Sequence, residues 1–226
     1  MSPRKYDLGR RRDSSDATRE KILEATRALF GGRGDLDGFS MEAVAAKAGV
    51  ARMTVYNQFH SQGLLLEALA DHLATRAGMP RIAEAFQEPR PDEALRKFVA
   101  TFVTLWASDR VVLRRLRAMG VLVPSLYRKV RDRDEWRREA ARNLVARIGI
   151  PAAAERASDP NWPVDLLTSA TSFETFDALC DDRRPAPVVA HLLSEEIVRR
   201  WGLAPPDRRA RGLDPSRTSR SRRRPG

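Results

Sequence analysis

The chain of 226 residues has one cysteine, Cys180, so no disulfide can close within it and a secreted, disulfide-stapled scaffold is excluded. Histidine is nearly as scarce. His60, His72 and His191 stand far apart, with no H-x-x-x-H or paired-cysteine spacing, so neither a metal nor another cofactor is expected. Long uncharged runs are missing as well. The longest near the middle, Phe98 to Ser108, spans 11 residues, far short of the roughly 20 a membrane helix needs, and no membrane partner is expected. The first 13 residues carry five basic side chains but no apolar core, which is not a signal-peptide pattern. Gly31-Gly-Arg-Gly34 lacks the preceding strand and following Lys-Ser/Thr of a phosphate-cradling loop, and Cys180 has no local nucleophile signature. The acid pairs Asp181-Asp182 and Glu195-Glu196 sit close to arginines and read as solvated helix ends. The expectation is a cytoplasmic protein that is not an enzyme.

What the chain has in excess is positive charge, 41 Lys and Arg against 30 Asp and Glu, a formal +11. The excess is not evenly spread. Residues 1–13 hold five basic and two acidic side chains, and residues 205–226 hold eight arginines and two aspartates. The long middle is left with 28 basic against 26 acidic residues. Both ends therefore read as basic segments that attract phosphate-rich partners without needing a fold. For 205–226, a tail that merely aids solubility explains the composition equally well. That tail is rich in Arg, Ser, Pro and Gly and almost free of apolar side chains, so it is expected to be disordered.

Between the ends the pattern is helical and strand-like alternation is scarce, so the fold class is all-α. Thr18 to Phe30 places Ile22, Ala25, Thr26, Leu29 and Phe30 on one stripe, and the glycines from Gly31 stop it. Ser40 is a good N-cap for a short second helix, with Glu42 complementing its dipole and Gly49 ending it. A third short helix runs from about Arg52 to Phe59, and Ser61 can cap a fourth whose inner face carries Leu65, Leu69, His72 and Leu73. Later helices are expected near 92–108, 109–119, 125–148, 164–180 and 187–201, with prolines at or near their borders.

The most informative stretch is Phe39 to Phe59. Two short helices must cross closely there, which explains Ala45, and Gly49 supplies the positive φ of a tight interhelical turn. Val44, Ala48, Val50, Val55 and Phe59 form a small shared core, leaving Arg52, Thr54, Tyr56 and Asn57 free to face a partner. This is a helix-turn-helix, whose second helix enters a DNA major groove.

With these residues in view, the segment resembles the TetR (tetracycline repressor) family of transcriptional regulators. The likeness runs over roughly residues 18–69: a first helix ending in Leu29-Phe30, then Ser40, Val44-Ala45, Ala48-Gly49-Val50, Thr54-Val55-Tyr56 with Phe59, and Leu64-Leu65. Beyond about residue 75 it is architectural only. The resemblance implies a DNA-binding domain over 14–64, after a basic arm at 1–13. It implies a helical effector-binding and dimerisation domain over 65–204, ahead of the tail at 205–226. Three positions depart from the family pattern. Ala51 stands where Ser is frequent and removes a cap, Met53 replaces a small residue and can reach a thymine methyl, and Gln62 replaces the usual Lys.

The site residues for double-stranded DNA are then Ser40, Lys47, Arg52, Met53, Thr54, Tyr56, Asn57 and His60. The resemblance makes Tyr56 a phosphate contact, against the alternative of a half-buried aromatic bracing the first helix. Thr54 and Ser40 can contact phosphate through their hydroxyls. Arg52 and Asn57 are suited to base edges, Arg for guanine and Asn for adenine, with a phosphate-only role as the alternative. Lys47 and His60 are backbone contacts or simply solvated.

For the rest of the chain the resemblance implies a homodimer and a small-molecule effector. Leu166, Ala170 and Phe173, with Val189, Leu193, Ile197 and Trp201 at i, i+4 spacing, could pack as a four-helix dimer bundle, or pack only within the monomer. Phe98, Phe102, Trp106, Met119, Tyr127, Trp136 and Phe173 are the pocket set or ordinary core, and they suit a lipophilic or aromatic effector. The functional expectation is a repressor released from a palindromic operator by that effector. The alternative is a helical ligand carrier or interaction module with a degenerate helix-turn-helix.

Overall fold

In the computed structural model, residues 5–32, 38–150 and 159–203 are described, with side chains from residue 13 onward. The expectations for the tail at 205–226 and for residues 1–4 lie outside them. Among the described residues there is no strand. The helices are α1 (Lys5–Gly31), α2 (Met41–Ala48), α3 (Arg52–Phe59), α4 (Gln62–Arg76), a 3-10 turn (Met79–Ile82), α5 (Ala83–Gln87), α6 (Pro91–Ser108), α7 (Arg110–Gly120), α8 (Pro124–Ile148), α9 (Trp162–Ala170), α10 (Phe173–Leu179) and α11 (Ala186–Arg200).

Local chemistry accounts for most of these boundaries. The Ser40 hydroxyl accepts from the Ala43 N–H at 3.1 Å, Gly49 ends α2 in the left-handed region at φ 64°, and the Ser61 hydroxyl accepts from Leu64 N–H at 3.2 Å. Pro91, Pro124, Pro163 and Pro187 sit in the first turns of α6, α8, α9 and α11, where a missing N–H costs nothing.

Three expectations are corrected. α1 begins at Lys5 rather than near Thr18, so residues 5–13 of the basic arm are helical. Thr18 lies within the helix, its hydroxyl donating back to Ser14 O at 2.8 Å. The single helix expected over 164–180 is broken in two. Thr171 turns its hydroxyl to Leu167 O, its carbonyl accepts from the Trp106 indole at 2.9 Å, and Ser172 caps α10 by accepting from Thr175 N–H. The third concerns the apolar stripe on α11. Val189, Ile197 and Trp201 are 0%, 3% and 2% exposed, because α11 lies along α6 within the protomer. Ala170 and Phe173 are buried as well, and Leu166 and Leu193 are half-buried against the core. The stripe is therefore core. The side of α11 that faces solvent carries Val188 and Leu192 instead, 39% and 52% exposed.

A continuous apolar core runs from Ile22 on α1 to Trp201 beyond α11. Polar joints tie the first four helices to the body. Arg27 on α1 donates to Asp109 ahead of α7 at 2.9 Å, and Arg115 on α7 donates to Phe30 O at 2.8 Å. Asp71 on α4 pairs with Lys129 at 3.2 Å and with Arg133, both on α8. α4 thus belongs to both halves, with α3 packed on one end and α8 along its length.

Candidate functional site

α3 is positioned from beneath and from one end. Val55 and Phe59 are buried in the core under it, and the ring of Phe59 is covered by the Arg19 guanidinium at 4.3 Å. Arg19 also donates to Gln58 O at 3.1 Å, and the Gln58 amide donates to Ser15 at 3.0 Å. These contacts from α1 fix the end of α3, and neither Arg19 nor Ser15 is among the residues that the sequence motif points to.

The opposite face of α3 is open. Arg52, Met53 and Asn57 are exposed, Met53 to 65%, while Thr54 and Tyr56 are half-buried at its edges. Lys47 on α2 is exposed, and Ser40 is half-buried as the α2 cap. Ala51 provides no side-chain cap for α3. Six of the eight expected DNA residues thus lie on one short helix and the residue that ends it, with Ser40 and Lys47 bracketing α2.

Two features went unread in the sequence. Glu42 reaches across to Arg52 at 2.6 Å, and the Arg52 guanidinium also lies 3.5 Å from the Tyr56 hydroxyl and 5.3 Å from its ring centroid. The Glu42 carboxyl is held below its usual range by its own backbone N–H, with the Arg52 charge adding to this against some desolvation. Both partners are well exposed, so solvent screens the pair and it holds Arg52 only weakly; a base or phosphate can displace it. His60, which ends α3, has φ 60° and ψ −39°, the sole positive φ at a non-glycine among the described residues. The tight α3–α4 turn imposes that strain. Gln62 turns its amide toward Phe39 O at 3.5 Å, a loop contact in place of the charge a lysine would bring.

A second feature lies in the body. A cavity between α4, the 3-10 turn, α6, α7 and α8 is walled by Phe102, Leu105, Trp106, Leu113, Leu116, Leu126, Val130 and Trp136, with Ala70 and Met79 at one side and Arg117, Arg133, Asp134 and Arg137 at the other. Its free volume is about 80 Å³, and the atom-free space including its open mouth about 680 Å³. Of the seven aromatic and apolar residues expected there, Phe102, Trp106 and Trp136 line it. Phe98 is one turn away and packs edge-on to Phe86 and Phe102 at 6.3 and 5.1 Å. Phe173 is buried edge-on against Trp106 at 5.7 Å, with Arg117 over its other side at 5.8 Å. Met119 packs half-buried against the core, and Tyr127, 55% exposed, lines an outer groove. Helical spacing shows which side of a helix is apolar, but only the neighbouring helices decide where a gap remains.

Glu20, Glu24 and His72 also come together, with both ring nitrogens of His72 facing a carboxylate at 3.5 and 2.9 Å. Glu24 is shared further with Arg76 and with Arg27, so the cluster acts as a clamp between α1 and α4.

The arrangement defines a helix-turn-helix protein with a helical body behind it, and comparison shows what each part resembles. Residues 22–69 match the family described as bacterial regulatory proteins, tetR family. The N-terminal module is a DNA-binding helix-turn-helix similar to that of the tetR family. The whole fold is similar to a transcriptional regulator from Rhodococcus sp. Rha1, at 20% identity over 83% of this chain and 99% of that one, with a TM-score of 0.64. It is also similar to the TetR family transcriptional regulator PfmR from Thermus thermophilus, at 19% identity over 79% and 97%, with a TM-score of 0.62. A TetR transcription regulator from Haloarcula marismortui gives 15%, 83% and 97%, and 0.61. At these identities the likeness is one of fold. No curated protein matches the sequence. No helix among the described residues is long and apolar enough to cross a membrane.

Proposed function

We propose that the protein is a cytoplasmic homodimeric repressor that holds a palindromic operator through two copies of α3 and releases it when a small lipophilic molecule fills the cavity. The observation that carries this reading is the open face of α3, where Arg52, Met53 and Asn57 project from a helix fixed from beneath by Val55 and Phe59. Arg52 and Asn57 have the donor geometry for base edges, while Thr54, Tyr56, Ser40, Lys47 and His60 surround them as phosphate contacts. Catalysis has no part in this reading.

The outward side of α11, with Val188 and Leu192, and Trp162 at the start of α9, is the proposed contact between two copies. A two-fold pair must present its α3 helices about 34–36 Å apart to meet successive major grooves. The cavity supports ligand control because α4 forms one of its walls and also packs against α3. A ligand that repositions α8 would pull on Asp71 of α4 through Lys129 and Arg133, and so shift the population of dimers whose spacing fits DNA.

Selection of bound duplexes from a random library tests the reading. An inverted repeat with half-sites one helical turn apart is expected. Failure to enrich any sequence would favour the helical ligand carrier or interaction module.

A further inference from the structure

Three buried side-chain polar atoms lack a hydrogen-bond partner among the described residues: Arg133 Nε, Arg137 Nε and Thr168 Oγ1. All three residues line one of two adjoining spaces. Arg133 and Arg137 form part of the inner cavity wall, while Arg137 and Thr168 line the outer groove. The two spaces share Arg117, Asp134 and Arg137 as a common wall. Buried polar groups are satisfied almost everywhere in folded proteins. Their concentration here marks a place where a ligand supplies the missing partner.

The charges give the sign of that partner. The inner wall carries three guanidiniums and one carboxylate. Asp134 is shared, accepting from Arg117 at 3.0 Å and from Arg137 at 3.0 Å. The other acids are exposed: Asp71 pulls on Arg133 from the outside, and Glu135 and Glu174 line the outer groove, where the guanidiniums of Arg117, Arg131, Arg137 and Arg138 still outnumber three carboxylates. Arg137 is the deepest of the three, its side chain 7% exposed, with Nη1 held by Asp134 and an Nε–H without an acceptor. Beyond this wall the cavity is apolar and aromatic. A cation would meet the guanidiniums, and a neutral lipophile would leave the buried donors unpaired. A dianionic phosphate would bring twice the charge against Asp134.

We propose that the two spaces bind an amphipathic carboxylate, its head on Arg137 and Thr168 and its apolar tail among Phe102, Trp106 and Trp136. The proposal rests on the effector-domain reading and names the chemical class of the effector. Arg137 would donate from Nε in a charge-assisted hydrogen bond, and Thr168 would donate its hydroxyl. The tail would widen a slot whose free volume, about 80 Å³, amounts to only a few water molecules.

Decanoate, decanol and decylamine share a tail and differ in the charge of the head. Binding of each to the full-length protein can be followed by quenching of tryptophan fluorescence and by thermal shift. Decanoate should bind about tenfold or more tightly than decanol, and decylamine should bind weakest. Arg137→Gln should remove the advantage of decanoate over decanol. Asp134→Asn, which removes the competing carboxylate, should tighten decanoate, so a misfolded Arg137 variant does not shield the proposal. Equal binding of decanoate and decanol, or no binding of decanoate, would overturn it. The effector reading itself fails separately, if no compound from a chemically broad screen releases the selected duplex.

Discussion

The helices from α1 to α4 and the body from α6 to α11 are both helical and share one core, yet they are finished to different degrees. Among the described residues of α1 to α4, every buried side-chain polar atom has a partner; the three that do not all lie in the body, at its cavities. The first region leaves a mainly polar face open, with Met53 and Leu64 its exposed large apolar side chains, whereas the body leaves apolar side chains open at Val188, Leu192, Trp162 and Trp136. A surface meant for a phosphate backbone has to stay hydrated and charged. A surface completed by a second copy or an apolar ligand has to give up that hydration. The surfaces proposed for DNA, a second copy and a ligand thus lie on different parts of the fold.

The largest effect expected from breaking this division comes at Phe59, which anchors α3 from beneath. Phe59→Ala should cost about 3–5 kcal/mol of stability in α1 to α4 and abolish duplex binding. Denaturant unfolding followed by far-UV circular dichroism would then show α1 to α4 melting before the body.

The body has its own anchor in Asp92, buried at the start of α6. Hydrogen bonding from Arg90 holds its carboxyl at about 2 against desolvation, with Arg96 helping and tying it to Glu195 on α11. Because the folded value lies below the ordinary 3.8, this contribution is complete above pH 4 and is lost as pH falls toward 2. Asp92→Asn should destabilise the protein by about 1.5–3 kcal/mol at neutral pH and flatten the acid limb of a stability-against-pH profile.

A smaller effect, of opposite sign, is expected at the strained residue that ends α3. His60→Gly relieves a positive φ and should raise the thermal midpoint, by a stabilisation of about 1 kcal/mol. If His60 also touches phosphate, duplex affinity should fall in the same variant, so stability and binding would move apart.

The first region was legible because its boundaries are written in residues whose local chemistry leaves little choice. Ser40 and Ser61 cap, Gly49 turns, and Val55 and Phe59 fall inward at helical spacing. What escaped notice there depends on distant partners, as with Arg19 over Phe59 and Glu42 on Arg52. The body was legible only as helices. The stripe of Val189, Ile197 and Trp201 announces burial but not whether α6 or a second copy supplies it. The break at Thr171 owes part of its support to the indole of Trp106, 65 residues away. Aromatic residues near the cavity could be picked out, but Phe98 and Phe102, one turn apart on α6, differ in whether they reach it.

The central claim, that α3 reads the DNA while its surroundings hold it, is tested most directly by repeating site selection with Arg52→Ala beside the wild type. The account predicts that the inverted repeat survives and that one position in each half-site loses its preference, at a cost of about 1–3 kcal/mol for each good base contact. A motif unchanged by the substitution would contradict it, leaving Arg52 a partner of Glu42 and the phosphates alone.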